Sequence, residues 1–435
     1  MSLLLKNAQV YYQGDFKKLD ILIEEDRIKE IGKNIDHKST NIEDCSGLTI
    51  FPGFIDTQVH FREPGDPDKE TLESGSKSAA LGGITAVFEM PNTSPPTDNK
   101  ERFQDKLDRA KDRMYCNYAF YFGATEKNSE DLNFVKDLEG CCGIKMFVGS
   151  STGNLLVKED FYIEQVIKNA PKVVSIHSED ENMLNERKKF IEEGNVKSHY
   201  IWRSPECALS STKKVVSYAE KHKKRIHVLH ISTKDEIDYV RNHKQFVTLE
   251  TTPQHITLYA PDIYDQIGTL AQMNPPIRPK EHLDGIWKGV EDNTIDVIGS
   301  DHAPHTLEQK KQTYPKSPSG MTGVQTIGLI MTDYYLQGKI KLKRLVDLLS
   351  SNPCKIFGIK DRGEIKVGNV ADLTIYKLNH DYEIKNEWIA SNCGWTPFNG
   401  KKIKVSPFGT IVNGQKVVWN QKISDKKSGK PLAFN

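Results

Sequence analysis

Between Gly47 and Pro304 the chain alternates short apolar, β-branched runs with longer stretches of helical periodicity, and that alternation restricts the fold more than any other feature. Repeated units of this kind build parallel sheets, because each helical crossover returns the chain to the same end of the sheet. Eight runs qualify as strands: those starting at Thr49 (TIFPGFIDTQVHF), Ile84 (ITAVFEM), Asn117 (NYAFYFGA), Gly143 (GIKMFV), Lys172 (KVVSIHS), Arg225 (RIHVLHIS), Phe246 (FVTLETT) and Ile295 (IDVIGSD). Eight such units predict an α/β chain closed into a (β/α)8 TIM barrel. An open doubly wound sheet is the alternative, but no G-x-G-x-x-G follows the first strand. Between the strands, Ser204-Pro205-Glu206 reads as an N-cap, an N1 proline and a first-turn acid.

The flanks read as β-structure. Turn signals at Gln13-Gly14-Asp15 and at Asn413-Gly414 separate apolar runs in hairpin fashion. A lone hairpin is only marginally stable, so the two ends are expected to pair into one small β-sandwich domain, residues 1–52 with 363–435, beside a barrel of residues 53–362. The length of 435 residues leaves room for it, since a bare barrel takes about 250. The Lys-rich stretch Lys422 to Lys430 reads as a mobile, solvated end.

Charge narrows the partners. Lysine and arginine number 60 against 59 for aspartate and glutamate, so no excess charge draws the chain to nucleic acid or to an anionic membrane. A small-molecule substrate is expected, with no nucleic acid and no membrane. No apolar run has the length of a membrane span, and the start, broken by Lys6, fits a strand better than a secretory segment. Seven cysteines without a C-x-x-C pair suggest neither a disulfide framework nor a zinc knuckle, and a cytoplasmic home.

In a (β/α)8 barrel the polar residues just past each strand's apolar part face a common mouth. Here they are His60, Lys145, His177, His230 and Asp301, nitrogen and oxygen donors suited to zinc or a similar divalent ion. One such histidine is ordinarily a packing residue; five groups on five strand ends are harder to dismiss. Lys145 stands out, because a lysine inside the apolar run Ile144 to Val148 must be paired, reach out or lose its charge. Carbamylation by CO2 would make it an anionic oxygen ligand able to bridge two metals. His255 reads as a packing or supporting residue, and His227, an odd number of places before His230, is expected to face the other side of its strand. The basic clusters at Lys188 and Lys221 read as solvated helix faces.

The stretches Asp56 to Gly65 (DTQVHFREPG), Met90 to Asn92 (MPN), Gly143 to Asn154 (GIKMFVGSSTGN), His177 to Glu179 (HSE), His230 to Thr233 (HIST), Asn274 to Pro276 (NPP) and Asp301 to His305 (DHAPH) together resemble the amidohydrolase superfamily and, within it, the type I dihydroorotases. The resemblance covers nearly the whole chain. It implies that His60, Lys145 as a carboxylated lysine, His177, His230 and Asp301 hold one or two Zn2+ ions. The chain departs from the family at Gln58, where Asp-x-His-x-His is usual; a neutral amide oxygen is a poorer zinc donor than imidazole, so the site it helps build is weakened. The resemblance further implies that Arg62, Asn92 and His305 hold a substrate carboxylate, that Asn274 contacts the ring, and that Ser319 and Gly320 offer a backbone contact. Taken singly, Arg62 has a plainer reading as a rim ion pair with Glu63 or Asp66, and Asn92 as a turn residue before Ser94-Pro95-Pro96.

The implied reaction is reversible ring opening of L-dihydroorotate to N-carbamoyl-L-aspartate in de novo pyrimidine synthesis, with Asp301 moving the proton from water to the departing nitrogen. Allantoinase- or hydantoinase-like hydrolysis is the nearest alternative, but motifs of those enzymes lack the arginine of His60-Phe61-Arg62. A non-catalytic scaffold, supported by Gln58 alone, is the other. Relatives also suggest a homo-oligomer and association with aspartate carbamoyltransferase, by analogy only.

Overall fold

A computed structural model describes residues 2–36, 41–151 and 155–435. Parts of two expected features, residues 37–40 of the N-terminal β segment and Thr152 to Asn154 of the GIKMFVGSSTGN stretch, lie outside the described residues. All eight predicted strands are present in one parallel sheet, in sequence order: β1 Phe54–Val59, β2 Ile84–Glu89, β3 Asn117–Gly123, β4 Cys141–Phe147, β5 Val174–His177, β6 Ile226–Val228, β7 Val247–Thr251 and β8 Val297–Ile298. The barrel closes where Val59 bridges His302 in parallel and His60 N donates to His302 O at 2.7 Å. Every residue of β1 to β4 is buried, as expected for strands covered on one side by helices and on the other by the barrel interior.

Local signals explain several crossovers. Thr71 caps helix Leu72–Leu81 in a capping box with Ser74, and Asn99 caps Lys100–Ala110. The helix predicted at Ser204 runs Pro205–His222 with proline in its first turn, although the Ser204 side chain makes no capping bond. Among the described residues no helix is long and apolar enough to cross a membrane.

Both termini build a separate mixed sheet. The hairpin turns fall where predicted: Gln13 and Gly14 have φ of 55° and 89°, Asn413 and Gly414 of 49° and 73°, the left-handed values that such two-residue turns demand. One expected strand divides. Thr49–Pro52 lies in the terminal sheet, between Ser2–Tyr12 and Leu373–Glu383, and the chain passes at Gly53 into β1 of the barrel. A Cβ on Gly53 would stand 2.3 Å from Thr85 Oγ1, so only glycine fits this crossing. The Lys-rich tail also differs from expectation. Lys422–Ile423 pairs with Gln415–Trp419, Tyr118 N donates to Lys430 O at 3.1 Å, and Leu432 packs with Phe88 and Tyr121 in the barrel interior. Apolar Leu432 and Phe434 just beyond the lysines anchor it.

The two sheets are locked together by side chains that satisfy the other's backbone. Tyr376 Oη donates to Gly82 O at 2.5 Å, Thr374 Oγ1 to Gly83 O at 2.6 Å and Thr410 Oγ1 to Ala80 O at 2.6 Å. Asp372 is the hub: its Oδ2 accepts from Arg362 Nε (2.6 Å) and Asn117 Nδ2 (2.8 Å), and its Oδ1 from Asn413 N (2.7 Å). Removing a buried carboxylate that holds a cation and two amides leaves all three wanting, so Asp372→Ala is expected to lose about 3 to 5 kcal/mol in urea unfolding. A loss below about 1 kcal/mol would show that water replaces the carboxylate.

Candidate active site

The barrel brings the predicted donors to one end. His60 follows β1, Lys145 lies near the end of β4, His177 closes β5, and His230 and Asp301 sit two and three residues past β6 and β8. All five are buried, Lys145 completely at 0% exposure. With Gln58, Arg62, Asn92, Asn274, Ser319 and Gly320 they line one pocket, joined by Phe147, Ser151 and Ala303, which the sequence did not single out. Arg62, His230 and Asp301 have φ of 60°, 37° and 46°. Side-chain-bearing residues held in that region are costly, and they concentrate where geometry serves function.

The donors stand in two groups. His60 Nε2 lies 3.2 Å from Asp301 Oδ1, which also accepts from Gln58 Nε2 at 2.9 Å, while His60 Nδ1 meets Asn92 Oδ1 at 2.8 Å. His177 Nδ1 lies 3.0 Å from His230 Nε2, and its Nε2 lies 3.0 Å from Glu179 Oε2. Lys145 Nζ, His230 Nδ1 and Gln58 Oε1 have no hydrogen-bond partner among the described residues. Burial pulls the Lys145 amine down to about 7 against the attraction of Asp301 and Glu250, and pushes the Asp301 carboxyl up to about 7 against Lys145 and His177. Burial likewise holds His60, His177 and His230 below their ordinary value, leaving neutral imidazoles with lone pairs to donate. Among the described residues His, Cys, Asp and Glu alone nowhere gather in threes to hold a metal ion. The set fits a divalent ion once Lys145, an amine with no hydrogen-bond partner among the described residues, is converted to an oxygen donor.

Next to His60 lies an anion-seeking edge. Arg62 is buried, and among the described residues it has no carboxylate partner: Glu63 takes Arg113 at 2.7 Å and Asp66 takes Lys69 at 2.8 Å. Its Nε donates to Pro304 O at 3.3 Å. His305 is not among the residues that line the pocket; its Nε2 can donate to Ser319 O at 3.1 Å, which steadies the Ser319 loop beside Arg62. Gly320 has φ of 146°, and a Cβ there would stand 2.4 Å from Ala303 O. Gly320 N donates to Gln272 O at 2.9 Å, so this residue can offer a ligand only its carbonyl.

Supporting groups went unnoticed in the sequence. Arg203, from the crossover after β5, holds Glu179 with Nε at 3.2 Å from both carboxylate oxygens and with Nη2, which also donates to Ser150 O at 2.8 Å. Beneath the mouth, Asp56 Oδ1 accepts Ser300 N at 2.9 Å and ties the first strand to the last. His227 lies in the barrel interior, 3.4 Å from Glu250 and edge-on to Phe357, and His230 still reaches the mouth. The alternation expected to separate them fails because the backbone turns over at His230. His255 is a packing residue, bonded to Thr252 Oγ1 and Pro275 O.

With this geometry in hand, similar proteins are informative. The family model "Amidohydrolase family" matches residues 49–417. A dihydroorotase from Methanosarcina acetivorans is 32% identical, with 98% of this chain and 94% of that one covered. A dihydroorotase from Staphylococcus epidermidis is 35% identical over 96% of this chain and 100% of its own. Among solved structures, L-hydantoinase (dihydropyrimidinase) from Arthrobacter aurescens superimposes with a TM-score of 0.94 at 25% identity, covering 99% of each chain.

The Glu179–Arg203 pair makes a pH-dependent contribution whose sign can be worked out. Burial alone would raise the Glu179 pKa, but Arg203 and His177 outweigh it and hold the carboxyl well below its ordinary 4.5. A folded-state pKa below the unfolded one stabilises fully above about pH 4.5, and that stability drains as pH falls toward the folded value. Arg203→Met, which strands the carboxylate, is expected to cost about 3 to 5 kcal/mol near pH 7 and progressively less as pH is lowered. Denaturant unfolding at several pH values checks this; a cost independent of pH would contradict it.

Proposed function

Because the chain belongs to the amidohydrolase family and is a cyclic amidohydrolase, we propose that it is a metal-dependent dihydroorotase, opening the ring of L-dihydroorotate to N-carbamoyl-L-aspartate and closing it in reverse. One observation carries this reading: Arg62 is a buried guanidinium facing the pocket with no carboxylate partner among the described residues. A desolvated cation left unpaired is costly, and a substrate carboxylate in its planar fork removes that cost. Asn92 borders the same edge, with its Oδ1 engaged by His60.

In this proposal carboxylated Lys145, His177 and His230 hold one Zn2+ ion, and His60 and Asp301 hold a second more weakly for want of an imidazole at Gln58. A divalent ion so held supplies Lewis-acid polarisation of the scissile carbonyl and acidifies water. The rest is done by side chains of the chain itself. Arg62 and Asn92 orient the ring by its carboxylate, Asn274 contacts the ring, and the Gly320 carbonyl accepts a ring N–H. Asp301 takes the proton from the attacking water as its oxygen bonds to the carbonyl carbon. It returns that proton to the ring nitrogen as the C–N bond breaks.

Hydantoinase-like hydrolysis of a neutral ureide is the alternative on the same fold and differs in having no use for Arg62. Steady-state turnover of dihydroorotate and dihydrouracil by the parent and by Arg62→Met separates the two. Truncating one partner of a desolvated charge pair costs about 2 to 5 kcal/mol. Dihydroorotate kcat/KM should therefore fall by roughly two orders of magnitude or more. Dihydrouracil hydrolysis should be unchanged. Unchanged dihydroorotate turnover in Arg62→Met would overturn the assignment.

A further inference from the structure

We propose that His199 is a positioning residue that fixes the amide of Asn274 with its N–H2 turned into the pocket, so that the site takes a ring carbonyl, not a ring N–H, at this point. The inference rests on the ring contact assigned to Asn274 and is independent of the carboxylate clamp. His199 belongs to helix Ser198–Trp202 in the crossover after β5, and Asn274 to the crossover after β7. The two segments meet above the barrel mouth.

The argument turns on which atom can face which. His199 Nε2 lies 3.1 Å from Met273 O, a carbonyl that can only accept, so this nitrogen carries a hydrogen. The same Nε2 lies 2.9 Å from the Asn274 side chain, and the atom meeting an N–H there must be the amide oxygen, Oδ1. Asn274 Nδ2 is thereby turned away from His199, and Asn274 lines the pocket. The imidazole cannot swing to relax this choice. It is buried at 1% exposure and set edge-on between Trp202 and Tyr314, each at 5.7 Å between ring centres. Gly320, in a loop bonded to Gln272 close to Asn274 in sequence, has spent its N–H on Gln272 O and offers only a carbonyl. The two residues together present one donor and one acceptor of fixed polarity, which matches a cyclic ureide carrying C=O and N–H groups.

The test compares the parent with His199→Leu and His199→Gln on dihydroorotate and dihydrouracil, which share the ureido carbonyl. Freed of His199, the Asn274 amide can rotate and present oxygen to oxygen. KM is therefore expected to rise on the order of tenfold to a hundredfold for both substrates in His199→Leu. In the same variant kcat should stay within about threefold of the parent, the signature of lost uniform binding. Glutamine carries an N–H2 that reaches the position of Nε2 and should restore KM to within about threefold. A cyclic amide acid lacking the ureido carbonyl, used as a competitive inhibitor, should bind the parent and His199→Leu equally. Metal content should match the parent's. A folded His199→Leu with unchanged KM, or a fall confined to kcat, would overturn the inference. Should the leucine variant fail to fold, Asn274→Asp keeps an oxygen for His199 and replaces the inward N–H2 by oxygen; an unchanged KM there overturns it equally. A parent that hydrolyses dihydrouracil but not dihydroorotate would defeat the dihydroorotase reading alone and leave this test intact.

Discussion

A primary amine sealed inside a parallel barrel must find a partner, lose its charge or be chemically changed, and the candidate site is organised around that constraint. Lys145 is fully buried, has no hydrogen-bond partner among the described residues and stands only over the face of Phe147, 4.4 Å from the ring centre. Burial brings its pKa to about 7, so much of it is neutral amine, the form that reacts with CO2. Around it the histidines stand in neutral form, and the acidic group that lines the mouth, Asp301, is itself pushed toward protonation. A cavity with this donor set is incomplete as an ion site without an anionic oxygen from Lys145, which is why the proposed chemistry begins there.

The scaffold tolerates such a site because its costs are met elsewhere. Arg62, His230 and Asp301 sit at left-handed φ, and the pairs Glu179–Arg203 and Glu89–Lys106 are buried ions. Against these stand fully buried strands, a barrel closed through His302, and a terminal sheet bonded to the barrel through Asp372, Thr374 and Tyr376. Rigid support of this kind keeps strand-end groups in register, since each strand end can move only if its neighbours do.

Much of this was legible in the sequence because it is local. β-branched runs mark the eight strands, and position past a strand's apolar part translates directly into position at the mouth for His60, Lys145, His177, His230 and Asp301, while Gln58, Arg62, Asn92, Asn274, Ser319 and Gly320, which only the family resemblance implied, line the same pocket. What escaped depends on contacts between distant segments. The run from Thr49 to Phe61 does carry a local break signal in Pro52-Gly53, and the approach of Thr85 shows why glycine stands at the crossing. Arg203 meets Glu179 through a crossover whose path no periodicity records. His305 carries the right chemistry to bind an anion, yet the Ser319 carbonyl engages its Nε2 beside Arg62. The lysines of the tail concealed the apolar Leu432 and Phe434 that fasten it.

The most direct test of the central claim is to load the protein with divalent metal in isotope-labelled bicarbonate, and to read the carbamate by carbon NMR together with metal content, in the parent and in Lys145→Ala. The account predicts a carbamate signal that appears with metal in the parent and is absent from Lys145→Ala, whose metal content falls to background. Full metal content in a parent whose Lys145 carries no carboxylate would contradict it.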